Sequence, residues 1–289
     1  MAPIKGCSMN FPVPLALTFR TVGWPELLVM LAFLALLLGP RRLGGLGRRF
    51  GEFFRVKLHV IQWLYWSATG NEADQLRAEE RVGQDISNAF TGQTPLEPDE
   101  SKQELIRALG GKLSEAVAGT QRRFHFRVLA DRDFQAFAVP GGFIFVNRPV
   151  LDHLQESPGE LAFVLAHEMS HVIERHTLER HLRDAILDAV LKPWLAGRLV
   201  SAVLARGYSR EQELDADAEA VNLMMRAGFA PESAVGALEQ MARLRDVDPT
   251  LGRYLGSHPP LADRIAAAQA LCASMRRRAT PQRGPAPPR

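Results

Sequence analysis

The most apolar stretch of the chain is an unbroken run near its beginning. Residues 27–38 read Leu-Leu-Val-Met-Leu-Ala-Phe-Leu-Ala-Leu-Leu-Leu. As a helix that rises 1.5 Å per residue, the run would reach only ~18 Å, which is less than the ~30 Å hydrocarbon layer of a bilayer. Its length leaves three interpretations open: a thin membrane helix, the core of a signal peptide, or a buried helix.

The flanks of this run favour a retained membrane anchor. Positive charge follows the run at Arg41 and Arg42, whereas a signal peptide carries it before the apolar core, and no small-residue cleavage site follows. The next stretch has apolar residues at helical spacing with arginines between them, which is typical of a helix lying on a membrane surface. These residues are Leu43, Leu46, Phe50, Phe53 and Phe54. A membrane-interface position is predicted for the aromatic residues Trp63, Tyr65 and Trp66. The alternative is a soluble pair of amphipathic helices.

The central part of the chain predicts two helices and then a small sheet. Residues 73–90 and 101–118 mix apolar and charged positions as helices do, with a turn-rich break between them. Alternation over residues 124–128 predicts a half-buried strand. Residues 137–146 predict two short strands around the turn Pro140-Gly141-Gly142.

The C-terminal half is predicted to be helical from residue 151 to about residue 278. Ser157 and Pro158 predict a helix start there, with Glu160 completing a capping box. Residues 279–289 are rich in Pro and Arg, which predicts disorder. The fold class is therefore α+β, mostly helical, with a small β-sheet.

The charge distribution argues against a nucleic-acid binder. Residues 41–57 and 276–289 each carry a net charge of +5, while the whole chain carries only +3, so the body between them is acidic. A nucleic-acid-binding domain would spread positive charge over its fold, whereas basic residues beside an apolar segment suit anionic lipids. The two cysteines, Cys7 and Cys272, are too few for a disulfide scaffold.

A metal-binding motif lies in the helix predicted to begin after Ser157. His167 and His171 are four residues apart, so they lie on the same helix face and can both bind one zinc ion at ~2.0–2.1 Å. Glu168 lies between them and can take a proton from a metal-bound water, whose pKa falls to about 7. A chance match is rare, and these polar groups would be costly to bury without a metal.

The third ligand must come from elsewhere. A glycine at position 174 and a histidine at 177 would complete one common pattern, but Glu174 and Thr177 stand there. His176 lies one residue before the position that this pattern requires. It is either a residue that contacts a metal ligand or a surface histidine. A glutamate from a second helix is the other common solution.

Residues 209–225 offer several acids, which helical spacing separates. Glu213 and Asp217 share a half-apolar face that can dock on another helix, whereas Glu211 and Asp215 lie on a polar face. Glu213 is therefore predicted as the third ligand. Asp217, one turn later, is predicted to orient a ligating histidine.

These motifs together resemble the membrane-associated zinc endopeptidases that include HtpX, the CAAX prenyl proteases and the mitochondrial Oma peptidase, with the Oma-like branch closest. The resemblance covers roughly residues 75–270 and implies one zinc ion per chain, a gluzincin-type domain, the ligands His167, His171 and Glu213, and the base Glu168. Gln135 stands where the family has Asn. The segments that carry the resemblance are His167–His171, Ser209-Arg210, Glu213, Ala216-Asp217, Ser257–Pro260, Arg264 and Gln135–Gly142.

A second resemblance concerns residues 22–57. Gly23-Trp24-Pro25-Glu26, the apolar run and Gly39-Pro40-Arg41-Arg42 are similar to the TatA and TatB subunits of the twin-arginine translocase. In that family this segment is a short membrane helix, a Gly-Pro hinge and an amphipathic helix. The resemblance supports membrane geometry rather than protein translocation.

Two further features have two interpretations each. His258 and Arg264 either pack and pair structurally, or one of them lines the site and stabilises a developing oxyanion, and the site-lining role is slightly favoured. The strand after the Pro-Gly-Gly turn is either a core strand or an edge strand that pairs with an extended substrate. The residues of that candidate substrate strand are Gly142, Phe143, Ile144 and Phe145.

The sequence predicts an endopeptidase that acts on misfolded or membrane-associated proteins, with protein or peptide substrates and membrane lipids as partners. The alternatives are a zinc-stabilised membrane chaperone or scaffold and an accessory of a translocase. Six Lys and Arg residues follow the apolar run and two precede it, which favours a single inner-membrane anchor with a cytoplasmic catalytic domain over a periplasmic one. The predicted organisation is a leader at 1–21, a membrane and amphipathic helix at 22–57, a zinc metallopeptidase domain at 70–275 and a basic tail at 276–289.

Overall fold

The computed structural model describes residues 55–56, 58–117, 121–176, 207–245, 247–258 and 260–279. The predicted anchor at 27–38 and the amphipathic stretch after it lie outside these ranges. The chain divides into two compact units, Met1–Phe53 and Phe54–Arg289, and all described residues belong to the second. Within the described ranges, no helix combines the length and apolar character needed to cross a membrane.

The described residues form helices and one three-stranded sheet, which confirms the predicted fold class. A first helix, α1, spans 58–69, and residues 55–56 are also helical. The remaining helices are α2 (Glu72–Gln93), α3 (Glu100–Glu115), α4 (Arg148–Leu154), α5 (Pro158–Ile173), α6 (Arg210–Arg226), α7 (Glu232–Leu244), α8 (Gly252–Ser257) and α9 (Leu261–Ala279). The strands are β1 (His125–Leu129), β2 (Ala136–Val139) and β3 (Phe143–Asn147).

The sheet has the strand order β1-β3-β2. Strand β3 pairs in parallel with β1 and antiparallel with β2. The two predicted strands around the Pro140–Gly142 turn are confirmed; Gly141 and Gly142 both have positive φ there, at 81° and 82°. The edge-strand interpretation of Gly142, Phe143, Ile144 and Phe145 is wrong, because the three strand residues belong to the middle strand and both of its sides are already paired.

The sheet lies between two apolar layers. Side chains of β3 alternate: Ile144 and Val146 enter the larger core around α5, while Phe143 and Phe145 enter a smaller core beneath α1 and α2. This follows from the period of two along a strand. From α1 the smaller core receives Val60 and Trp63. The predicted interfacial position of Trp63 is therefore wrong, since its side chain is only 3% exposed.

Helix α5 runs through the larger core. Every residue from Leu161 to Val172 is buried, as in a helix surrounded by protein on all sides. Its predicted start at Pro158 is confirmed, but the predicted capping box is not, because the Ser157 side chain makes no cap hydrogen bond. The Glu160 carboxylate packs against Gly236 of α7 instead.

Helix α2 meets the Pro140–Gly142 turn at very short range. A Cβ atom at Gly83 would lie 1.9 Å from the backbone oxygen of Pro140. Beside this contact, the buried Glu79 carboxylate accepts a hydrogen bond from the Gly141 amide at 2.9 Å and pairs with Arg122 at 2.5 Å. The absence of a side chain at Gly83 is therefore what lets α2 dock on the turn that connects β2 to β3.

Gly83→Ala should reduce the free energy of unfolding by about 1–3 kcal/mol, because its methyl group would overlap the Pro140 carbonyl in a packed core. Gly92 lies in the same helix, and nothing is within 4 Å of a Cβ atom there. The matched variant Gly92→Ala should gain about 0.5–1 kcal/mol from the better helix propensity of alanine. Denaturant unfolding followed by circular dichroism measures both, and equal shifts in the two variants would contradict the close docking.

Candidate metal centre

The polar residues predicted for the site meet where α5 and α6 pack together. Helix α5 contributes His167, Glu168 and His171, and none of the three is exposed to solvent. Helix α6 contributes Glu213 and Asp217, which are 0% and 3% exposed. The neighbouring acids of α6, Glu211 and Asp215, are exposed. The helical phase predicted for this segment is therefore correct.

Four side chains point donor atoms at a common centre, namely His167, His171, Glu213 and His258. The Nε2 atoms of His167 and His171 are 3.1 Å apart, and His167 Nε2 is 3.3 Å from His258 Nδ1. The Oε1 atom of Glu213 is 3.3 Å from His171 Nε2 and 2.9 Å from His258 Nδ1. An ion with tetrahedral bonds of ~2.0–2.1 Å sets its ligand atoms about 3.3 Å apart, so this donor set fits a zinc-sized ion.

The protonation states of His171 and Glu213 suit a metal. Burial lowers the pKa of His171 well below its ordinary value, so its imidazole is neutral. Burial raises the pKa of Glu213, but the neighbouring His258 and His167 outweigh this effect and the net shift is downward. A neutral imidazole and an ionised carboxylate are the forms that bind divalent metals.

His258 has a larger part in the cluster than the sequence indicated. It follows the short helix α8, and its Nδ1 atom is the fourth donor, whereas the sequence placed it only beside the site. The Tyr254 ring stacks on it, with centroids 4.6 Å apart. Tyr254 lies on α8, four residues before His258, and this spacing could have indicated the contact.

Glu168 differs from Glu213 and Asp217 because neither oxygen of its carboxylate has a hydrogen-bond partner. Both of its carboxylate oxygens are buried without a hydrogen-bond partner, and its closest ion-pair contact is His258 Nε2 at 3.7 Å. Burial raises the pKa of this carboxyl. Buried polar groups are nearly always hydrogen-bonded, so an unpaired one beside a metal-type donor set is a candidate functional group.

Asp217 and Arg264 form a support behind the donor cluster. Asp217 Oδ1 lies 2.9 Å from His167 Nδ1, as expected for a residue that orients a ligating histidine. Arg264 donates two hydrogen bonds to Asp217, at 2.8 and 2.7 Å, and its Nη1 atom lies 2.8 Å from Glu213 Oε2. Its neighbour Asp263 pairs with Arg210 instead. Arg264 therefore holds the two acids of α6 in place.

Two more rings contact the His171 side chain. His176 Nδ1 lies 3.0 Å from His171 Nδ1, so of its two interpretations the contact with a ligand is the one found. The Tyr208 ring stacks on His171 with centroids 3.6 Å apart and an angle of 11° between the planes. Tyr208 was not predicted as a site residue, because stacking between rings that are distant in the sequence produces no periodic pattern along the chain.

The model of peptidase family M48 matches residues 100–272 of the chain. This chain belongs to peptidase family M48. The match confirms the predicted family and a metallopeptidase domain, and its residues include every donor of the cluster.

Relatives of this M48 chain include two kinds of protease. The chain is 34% identical to mitochondrial metalloendopeptidase OMA1 of Arabidopsis thaliana, over 43% of this chain and 26% of the relative. It is 26% identical to the beta-barrel assembly-enhancing protease of Escherichia coli strain K12, over 68% of this chain and 44% of the relative. For OMA1 of Saccharomyces cerevisiae the identity is 31%, over 45% and 41%. The chain thus spans less than half the length of these relatives.

Glu213→Gln should reduce the zinc content of the purified protein, because an amide oxygen is a much weaker ligand than a carboxylate. Glu211→Gln, which alters an exposed residue two positions earlier, should leave zinc content unchanged. Asp217→Asn should weaken zinc binding by roughly 10–100-fold through loss of the His167 contact. Elemental analysis and competition with a chelator measure these effects, and equal zinc loss in the Glu211 and Glu213 variants would rule out the assignment.

Proposed function

We propose that this chain is a zinc-dependent endopeptidase that hydrolyses peptide bonds in misfolded or membrane-associated proteins. The observation that carries the proposal is the fully buried, unpaired carboxylate of Glu168 next to the four donors. The relatives named above, a metalloendopeptidase and a protease, support the same class of reaction.

In this proposal His167, His171 and Glu213 hold the zinc ion, which when bound supplies a Lewis acid that makes water acidic near neutral pH. Glu168 is the general base: its carboxylate accepts a proton and passes it to the departing amine. Asp217 accepts a hydrogen bond from His167 Nδ1, which leaves the Nε2 lone pair for the metal. The two bonds from Arg264 keep Asp217 ionised for this purpose.

The fourth donor supports a second candidate function. Structural zinc sites have four protein ligands, whereas catalytic sites keep one position open. With His258 in place the donor set is full, as a zinc-stabilised membrane chaperone or scaffold without proteolysis would require. Under the proposed peptidase function His258 must withdraw. It is the donor best placed to do so, because it lies beyond the end of a six-residue helix with backbone angles outside the helical region.

Substrate binding is assigned to a different strand from the one that the sequence suggested. Among the described strands, β2 pairs on one side only, with β3. It also packs against α5, the helix that carries both histidines of the motif. The four residues of β2 are at most 8% exposed, so an extended peptide would have to displace the groups that cover them before β2 could hold it through its backbone, with little demand on its sequence.

Glu168→Gln should lower the rate of casein cleavage by about 100-fold or more, because it removes the base and leaves the donors intact. Zinc content and the unfolding midpoint should stay close to those of the parent. The measurement is degradation of fluorescein-labelled casein together with elemental analysis.

The same assay separates the two candidate functions. A peptidase loses casein cleavage when a chelator removes the metal and regains it when zinc is added back. If the parent protein binds zinc but does not cleave casein or any membrane-extracted protein, the result supports the scaffold function and contradicts the peptidase function. Cleavage by Glu168→Gln at the parental rate, with zinc bound, would exclude Glu168 as the base.

We also propose that residues 27–38 anchor the chain in a bacterial-type inner membrane, with the catalytic domain in the cytoplasm. The proposal is supported by the six-to-two excess of basic residues after the run. In spheroplasts, external protease should then leave the catalytic domain intact. Digestion of that domain while a cytoplasmic marker survives would instead assign it to the periplasm.

A further inference from the structure

Helix α1 has two apolar faces, and only one of them packs against the protein. Val60 and Trp63 face inward and are 2% and 3% exposed. Leu58, Ile61 and Tyr65 are 52%, 62% and 58% exposed. Their spacing of three and four residues places these three side chains on one side of the helix. Leu58, Ile61 and Tyr65 together form the α1 ridge.

The α1 ridge concentrates apolar surface that is scattered elsewhere. The other exposed large apolar side chains among the described residues are Leu96, Met225 and Val247, which lie far apart in the sequence. Single exposed apolar residues are normal, but a contiguous group indicates a binding surface. The ridge is therefore a candidate binding surface.

Polar contacts fix the direction in which the ridge points. His59 Nδ1 lies 2.7 Å from Asp85 of α2, and Arg81 of α2 donates a hydrogen bond to Gln62 at 3.0 Å. Val60 and Trp63 are packed in the smaller core as well. A rotation of α1 that buried the ridge would break both polar contacts and expose these two side chains.

The sequence before α1 indicates what the ridge meets. Counting back from Tyr65 and Ile61, apolar residues recur every three or four positions at Leu58, Phe54 and Phe50. The last two belong to the amphipathic stretch predicted to lie on a membrane, so the sequence predicts that the apolar stripe of that stretch has the same helical phase as the ridge. Sixteen residues, 39–54, separate the end of the apolar run from the first described helical residue, 55, so the tether is short.

We propose that the α1 ridge lies in the interface of an anionic bilayer and holds the catalytic domain against the membrane surface. Leu58 and Ile61 enter the boundary between headgroups and acyl chains, and Tyr65 places its hydroxyl among the headgroups. This inference rests on the membrane attachment proposed above, and adds the surface of the catalytic domain that touches lipid.

Charge favours lipid over a second copy of the chain as the partner. Residues 41–57, which precede the ridge, carry a net charge of +5. Two ridges packed against each other would bring two such segments together, and their like charges would repel. An anionic lipid surface attracts the same segment.

The test uses the full-length chain in liposomes that contain phosphatidylglycerol. In a Cys7→Ser, Cys272→Ala background, a bimane fluorophore is attached at Ile61→Cys. Lipids brominated near the headgroup end of the acyl chain should quench this label, since a surface-lying helix is buried only ~5–10 Å deep. The matched control is the label at Met225→Cys, an exposed apolar site on α6 that should keep its fluorescence.

A label at Leu34→Cys, inside the apolar run, reports on the anchor itself. Quenching at positions 34 and 61 but not at 225 supports the ridge. Quenching at 34 alone overturns the inference and leaves the anchor intact. Quenching at neither 34 nor 61 overturns both inferences. If the unlabelled Ile61→Cys variant is cross-linked into a disulfide-bonded dimer by an added oxidant, and the labelled variant shows no lipid quenching, the ridge is a self-association surface instead. None of these readouts depends on peptidase activity, so failure of the proposed reaction would be seen separately.

Discussion

The architecture depends on burying ionisable groups in an apolar core. Helix α5 has no solvent-facing side between Leu161 and Val172, yet it carries two histidines and a glutamate there. Each such group is costly to bury unless a partner satisfies it. The surrounding elements can be understood as the source of those partners: α6 brings two carboxylates, α9 brings Arg264, and the residue after α8 brings an imidazole. Only Glu168 is left without one, and this exception coincides with the position where chemistry would need a free base.

Features set by local periodicity could be predicted from the sequence. The distinction between Glu213 and Glu211 follows from the 3.6-residue period, since two positions along a helix turn a side chain to nearly the opposite face. The Pro-Gly-Gly turn and the strands beside it follow from glycine's tolerance of positive φ. The start of α5 at Pro158 follows from the fixed φ of proline, which suits the first position of a helix.

Features set by pairing between distant segments could not be predicted in the same way. The β1-β3-β2 order is a property of the assembled sheet, and the run of apolar residues in β3 fits a middle strand and an edge strand equally well. Trp63 and Tyr65 are both amphipathic aromatic residues, and only the docking of α1 on α2 decides which one is covered. His258 reaches the donor cluster from 87 residues beyond His171, a separation at which spacing carries no information.

The hydrogen bonds and the ion pair of Arg264 have a consequence for how the protein binds a metal. One guanidinium holds Asp217 through two hydrogen bonds and lies against Glu213, and Asp217 in turn holds His167. These contacts exist between protein groups alone, so they fix the side chains of two helices before any ion arrives. In a zinc finger the ion must order an unfolded chain, and the free energy of binding is spent on folding. Because protein contacts already hold the donor side chains of this chain, binding of an ion would be a local event that does not have to drive folding.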